Sequence, residues 1–304
     1  MIPLLCAVAW VGLAQQIPDP NFAPRIEKPA FAAGKGPRVL IDEGHFNFHT
    51  VDGRYQTFAD VLRRDGYRVV GLREAFRAET LGAADVLVVA NALHKTNARE
   101  WKLPTPSAFT REEIAAVVEW VRKGGALLLI ADHMPFPGAA MELGKALGVT
   151  FRNGYARVRG QRRGPDVFQR NNGMLKDHAV TAGVEQVATF TGSAFRLDKG
   201  GSALLEFDNN FELWEVTQAS RFPPDTPRTA LQGWLQGAVL DLGKGRVAVF
   251  GEAAMFSAQL AGEDKQPMGM NHPQAAQNPQ LLRNLMRWLA RAEAVASNGS
   301  RVIR

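Results

Sequence analysis

Short apolar runs that alternate with longer amphipathic segments constrain this chain more than any other feature. Arg38 to Asp42 (RVLID), Tyr67 to Val70, Asp85 to Ala90 (DVLVVA) and Ala126 to Ala131 (ALLLIA) are each four to six residues long and bounded by polar or turn residues. Such runs suit strands buried on both faces. Between them, Tyr55 to Arg64 places Phe58, Val61 and Leu62 on one helical face and closes on Asp65 and Gly66. Arg111 to Lys123 opens with acids, ends with bases and stops at Gly124 and Gly125, as a helix complementing its own dipole does. A further helix is expected from about Ala139 to Leu147. Strand and helix in alternation predict an α/β domain with a mostly parallel sheet, right-handed crossovers and helices on both faces.

The pattern loosens between Phe151 and Thr229, where glycine, asparagine and short β-like pieces (Val187 to Phe190, Ala203 to Phe207) dominate. This predicts a β-rich insertion at about 151–229. Regularity returns with Gly237 to Leu242, a Gly243-Lys244-Gly245 turn and Arg246 to Phe250, which read as a hairpin. A last helix, Pro279 to Arg291, aligns Leu281, Leu282, Leu285, Trp288 and Leu289 for burial.

The ends are different in kind. Ile2 to Leu13 is an uncharged apolar run of 12 residues, too short to span a bilayer as a helix. Gly12 and Ala14 fit the small-residue positions of a signal-peptidase site, so residues 1–14 read as a secretory signal peptide, although no Lys or Arg precedes the apolar run. The alternative is a buried N-terminal strand. Residues 15–37 hold five prolines between Ile17 and Pro37 and read as an extended leader. The domain then runs over 38–291 as a single unit, and 292–304 are a tail. The expected location is extracytoplasmic, periplasmic or secreted, and no second segment is apolar enough to span a membrane. The one cysteine in 304 residues, Cys6, lies inside the signal, so neither a disulfide nor a multi-thiolate metal site is available. The formal charge of +6 selects no partner.

Ligands of open parallel sheets bind beyond the carboxyl ends of the strands. After the first strand come Asp42, Glu43, His45, Asn47 and His49. Asn91 and His94 follow the third, Asp132 and His133 the fourth, and Glu252 the last. Four of the six histidines therefore share one sheet edge with several acids. Imidazoles and carboxylates together supply general acid and base groups, or ligands for a divalent cation. Asp42, His45, Asp132 and His133 are the candidate catalytic core, and Glu43, Asn47, His49, Asn91, His94 and Glu252 the candidate ligand shell. The competing structural account has Asp42 and Asp132 capping helices or tying loops while the histidines bond to backbone. His45 and His49 make a His-x-x-x-His pair of metal ligands only if that stretch is helical. His178 and His272 suit local loop contacts. The Arg157, Arg159, Arg162 and Arg163 run suits a solvated loop better than an anion site. No G-x-S-x-G, P-loop or H-E-x-x-H occurs, and no nucleic-acid motif.

The phrases RVLIDEGHFN, DVLVVAN, FTREEIAAVVEWVRKGGALLLIADHMPFPG, GRVAVFGEAAMFS and NPQLLRNLMRWLA, in that order, resemble the class I glutamine amidotransferase-like superfamily. The likeness is nearest to its extracytoplasmic branch, a domain of unknown function similar to domains in gliding-motility transporter and intraflagellar-transport proteins. It covers about residues 38–150 and 237–291. The resemblance implies a flavodoxin-like sheet with flanking helices. True amidotransferases of this fold place a nucleophilic cysteine at the turn after a central strand. Here that turn carries Ala131, Asp132 and His133, so cysteine thioester chemistry is absent. Trehalose-utilisation-type relatives also have a histidine near this turn, which implies a sugar-related role. Two expectations follow: a strand-end pocket that binds a small polar molecule such as a carbohydrate and can hydrolyse it, or a non-catalytic scaffold module that docks a protein partner.

Overall fold

In the computed structural model, residues 16–160 and 164–292 are described. The signal reading of 1–14, Arg162 and Arg163, and all but the first residue of the 292–304 tail lie outside them.

Nine strands form the main sheet: β1 (Arg38–Asp42), β2 (Arg68–Leu72), β3 (Val86–Ala90), β4 (Ala126–Ile130), β5 (Val149–Arg152), β6 (Ala194–Leu197), β7 (Ser202–Glu206), β8 (Leu235–Leu242) and β9 (Gly245–Phe250). Their order is β2-β1-β3-β4-β9-β8-β6-β5, with β7 also paired to β8. β2, β1, β3, β4 and β9 run parallel. Every pairing beyond β9 is antiparallel. The sheet is therefore mixed, which corrects the expectation of a mostly parallel one. The cause is local: Leu242 pairs with Gly245, and a two-residue connection can join only antiparallel neighbours. The hairpin reverses the chain, and the insertion adds its strands to the reversed edge.

Five helices are described: α1 (Gln56–Arg64), α2 (Ala78–Leu81), α3 (Arg111–Arg122), α4 (Phe136–Ala146) and α5 (Asn278–Leu289). Alternation along the strands sorts the core onto two faces. Val39, Ile41, Val88, Leu128, Ala248 and Phe250 pack with Phe58, Val61 and Leu62 of α1 and Leu281, Leu282 and Leu285 of α5. Leu40, Leu87, Val89, Leu127, Leu129 and Val249 pack on the other face with Leu81 of α2, Val117 and Val121 of α3, and Leu143 of α4. The α/β layering with helices on both faces is thus present. Each fully buried Leu or Val contributes roughly 1.5–3 kcal/mol, so the apolar periodicity of the sequence dominates this architecture.

The 151–229 segment supplies β6 and β7 to the main sheet and most of two small ones: Tyr155–Val158 with Phe211–Trp214 and Arg228–Ala230, and Asp166–Gln169 with Gln186–Thr189. The leader is anchored at both ends. Gln16–Pro18 adds antiparallel to Ala258–Ala261, and Phe31 packs edge-on against Tyr67 at 5.1 Å.

Candidate functional site

Register creates the site. Ala90, Ile130 and Phe250 are level across β3, β4 and β9, so the residues after them emerge along one edge. Asn91 takes a left-handed φ of 49°, a conformation asparagine tolerates better than most residues. Its Oδ1 accepts from the Asp132 N–H at 2.9 Å. That fixes the amide orientation and leaves Nδ2 to face Nδ1 of His49 at 3.2 Å. Nδ1 of His49 is then an acceptor, and Nε2 carries the hydrogen. His49 is 3% exposed, and burial, with smaller contributions from Arg54 and His133, holds its pKa well below the ordinary value, so the ring is neutral.

Asp132 accepts from the N–H of His133 at 2.7 Å and of Ala253 at 3.4 Å, joining the ends of β4 and β9. It caps no helix. The His133 Nδ1–H donates to the carbonyl of Met134 at 2.8 Å, which leaves Nε2 as the acceptor nitrogen of the neutral ring, and the ring stacks on Tyr155 of the insertion at 4.3 Å and 11°. Glu252 is 1% exposed, with its two oxygens accepting from Ala254 N–H (2.8 Å) and Met255 N–H (2.7 Å). Burial and then the Asp132 charge raise its pKa well above the carboxylate range, against those two backbone bonds.

His49, Asn91, Asp132, His133 and Glu252 line one cleft of about 250 Å³. Phe48, Trp101, Phe136 and Phe190 supply aromatic walls; Arg54, Thr191, Ser220, Gln259 and Gln16 complete the polar lining. Trp101 meets Phe136 edge-on at 5.1 Å. Two buried polar atoms of this lining have no protein partner: Nε2 of His49 and Oε1 of Gln259.

The other candidates from the sequence lie elsewhere. Asp42, His45 and Asn47 form an internal cluster. His45 Nδ1 lies 2.9 Å from Asp42 Oδ1, its Nε2 lies 3.0 Å from Glu113 Oε1, and Asn47 Nδ2 donates to Asp42 Oδ2 at 2.8 Å. Burial pulls the His45 pKa down, but the bonds and charges of Asp42 and Glu113 outweigh it and the net shift is upward. Glu113 is also the capping-box residue of α3, exchanging bonds with Thr110. His45 thus bridges β1 to a helix start. Glu43 binds Val51 N–H at 2.9 Å and Arg73 Nε at 3.1 Å. His94 caps the short 3-10 turn Lys95–Asn97 by accepting from Thr96 N–H. The stretch holding His45 and His49 is not helical, and among the described residues no group of three or more His, Cys, Asp or Glu could hold a metal ion. His178 and His272 make the local contacts expected of them, to Val180 N–H and Gln274 N–H. Arg157 lies over Trp214 and Phe222, both at 5.3 Å.

Residues that the sequence left unmarked complete the cleft. Trp101, Phe190, Ser220 and Gln259 sit in segments where no periodicity singles them out. Arg54 was legible only as a cation just before a helix.

No family model matches the chain, and no curated protein matches it. Solved structures do. The N-terminal domain of IFT52 (mmIFT52) superposes with a TM-score of 0.59 at 15% identity, covering 83% of this chain and 97% of that one. A ThuA-like protein from Bacteroides uniformis gives a TM-score of 0.47 at 14% identity, covering 88% and 94%. A GMP synthase subunit from Thermoplasma acidophilum gives 0.43 at 9%, covering 86% and 98%. At these identities the IFT52 likeness speaks for the fold alone: this chain is similar in architecture to that domain over most of its length.

Proposed function

We propose that this chain is a binding protein for a small polar ligand of the carbohydrate class, held in the cleft at the carboxyl ends of β3, β4 and β9. One observation carries the reading. His49 and Gln259 line the same cleft, and each holds a polar atom buried without a protein partner, the donor Nε2–H and the acceptor Oε1. A buried polar group left unpaired costs about 1–3 kcal/mol, and the hydroxyls of a ligand, each donor and acceptor at once, would satisfy both. Aromatic walls beside such groups suit the apolar faces of a sugar ring. The cleft is below the roughly 300–1,000 Å³ that takes drug-sized molecules, and so suits a monosaccharide or a terminal residue. The chain is read as an extracytoplasmic member of the amidotransferase-like superfamily that lacks the catalytic cysteine, with its N-terminal apolar run acting as a signal.

The test is calorimetric titration with a panel of neutral monosaccharides and uronic acids against wild type, His49→Leu and Gln259→Leu. Binding by wild type that falls at least about tenfold in each variant supports the reading; variants that bind as tightly as wild type overturn it.

A hydrolytic reading has one specific support: the Nδ1–H bond to Met134 leaves His133 Nε2 as the ring nitrogen able to act as a general base, in the same cleft as Glu252, whose raised pKa suits a general acid. Turnover of aryl glycosides abolished by His133→Ala would establish it, and turnover unchanged by that substitution would remove it. The docking-module reading draws on the IFT52 fold likeness and predicts no sugar binding at all.

A further inference from the structure

Among the described residues lining the cleft, Arg54 is the single Arg or Lys. It stands just before α1 and is fixed from three sides. Its Nε donates to Gln16 Oε1 at 3.3 Å, its Nη1 donates to the Phe48 carbonyl at 3.5 Å, and its guanidinium carbon lies 3.7 Å from the centre of the Phe48 ring. Every one of those partners is neutral. Among the described residues no carboxylate lies within ion-pair distance of Arg54, and its Nη2 has no hydrogen-bond partner. A half-buried guanidinium, pre-oriented over an aromatic face with an unused N–H edge, is a receptor for a planar anion.

The rest of the lining sets the charge and shape of that anion. A single cation balances one negative charge, and the Asp132 carboxylate in the same cleft opposes a phosphate or sulfate dianion more strongly than a monoanion. His49 and Gln259 ask for hydroxyls, and the aromatic walls ask for a ring. We propose that the preferred ligand is a sugar acid, whose carboxylate pairs with Arg54 while its ring hydroxyls meet His49 and Gln259. The inference rests on the carbohydrate reading above and names its substrate class.

The experiment titrates D-glucuronate, D-galacturonate and D-mannuronate, each beside its neutral parent hexose, into wild type, Arg54→Gln and Arg54→Lys. Inorganic phosphate serves as an anion control, and circular dichroism checks that each variant folds. Hydrogen bonds to a charged partner are worth about tenfold or more in affinity. At least one uronate should bind wild type about tenfold more tightly than its parent. Arg54→Gln should erase that difference, and Arg54→Lys should keep part of it. Equal affinity for acid and parent, or a preference untouched by Arg54→Gln, overturns the sugar-acid assignment and leaves sugar binding standing. Phosphate bound more tightly than every uronate also overturns it. No binding of any acid or hexose overturns both readings together.

Discussion

The side-chain amide of Asn91 decides the tautomer of His49. Because the Asn91 oxygen is occupied by the Asp132 N–H, its nitrogen must face His49 Nδ1, and the imidazole hydrogen sits on Nε2, the buried nitrogen left without a protein partner. Asn91→Leu should therefore weaken ligand binding about tenfold although Asn91 itself need not touch the ligand, because the ring loses its orientation. Nitrogen-15 chemical shifts of His49 in wild type should report Nε2 protonated and Nδ1 bare. The pKa of His49 is lowered on folding, so the unfolded chain binds more protons just below pH 6.5. The neutral ring contributes its stability fully above pH 6.5, and that contribution falls away as the pH drops toward the folded pKa. The acid-side loss of stability should diminish in His49→Gln.

His45 has the opposite sign. With a carboxylate on each ring nitrogen, its pKa is raised, so the imidazolium stabilises fully below its ordinary value near 6.5 and the contribution is lost as the pH rises through the folded pKa. His45→Gln leaves Asp42 and Glu113 facing one another without the cation. A loss of about 3 kcal/mol is expected at pH 6, measured by urea unfolding, with a smaller gap between variant and wild type at pH 8.5. Sugar affinity should stay unchanged, since His45 is outside the cleft.

These two histidines show what was legible beforehand. Strand-end position brought both forward, because apolar runs such as DVLVVA and ALLLIA fix where the parallel strands stop and which residues follow. Position along the chain does not say which way a loop turns. His45 faces inward between Asp42 and Glu113, whose Oε1, the oxygen not engaged by Thr110 in the α3 capping box, is brought near only by the folded chain. The cleft wall from 151–229 was illegible for a different reason. Tyr155 lies in, and Phe190 directly after, strands placed by antiparallel pairing with distant short strands, and Ser220 is held by its N–H bond to the Tyr155 hydroxyl; such pairings leave little periodicity in a single sequence. The mixed sheet, by contrast, was foreshadowed by the Gly243-Lys244-Gly245 hairpin, whose turn forbids a parallel neighbour.

Tyr155 links that insertion to the cleft. Its ring stacks on His133, and its hydroxyl accepts from Ser220 N–H at 3.2 Å. Tyr155→Phe keeps the stack and should leave ligand affinity within about twofold. Tyr155→Leu removes it and should weaken binding about fivefold or more, since a ring pair contributes roughly 0.5–1.5 kcal/mol beyond its buried area. Titrating both variants with the same sugar separates the two effects; equal affinities in both would deny the stack any role in placing His133.

Asp65 carries the clearest stability prediction outside the site. It is fully buried at the end of α1, accepts the Ala30 N–H of the leader at 3.0 Å, and pairs with Arg283 at 2.9 Å and Arg287 at 3.2 Å on α5. Both arginines also donate to the Lys28 carbonyl. One carboxylate therefore clamps leader, first helix and last helix together. Asp65→Asn keeps the shape but leaves two guanidinium groups without a counter-charge, and removing one member of a buried ion pair costs about 3–5 kcal/mol. A matching drop in unfolding free energy is expected. Limited proteolysis of Asp65→Asn should cut first in the leader between residues 18 and 37, because the Ala30 bond to a carboxylate and the ion pairs are lost there and what remains is the packing of Phe22, Ile26 and Phe31 on the core and bonds to single carbonyls such as Lys28 and Pro24. A leader cut no faster than in wild type would show that this packing and the carbonyl bonds, and not the ion pair, fix it.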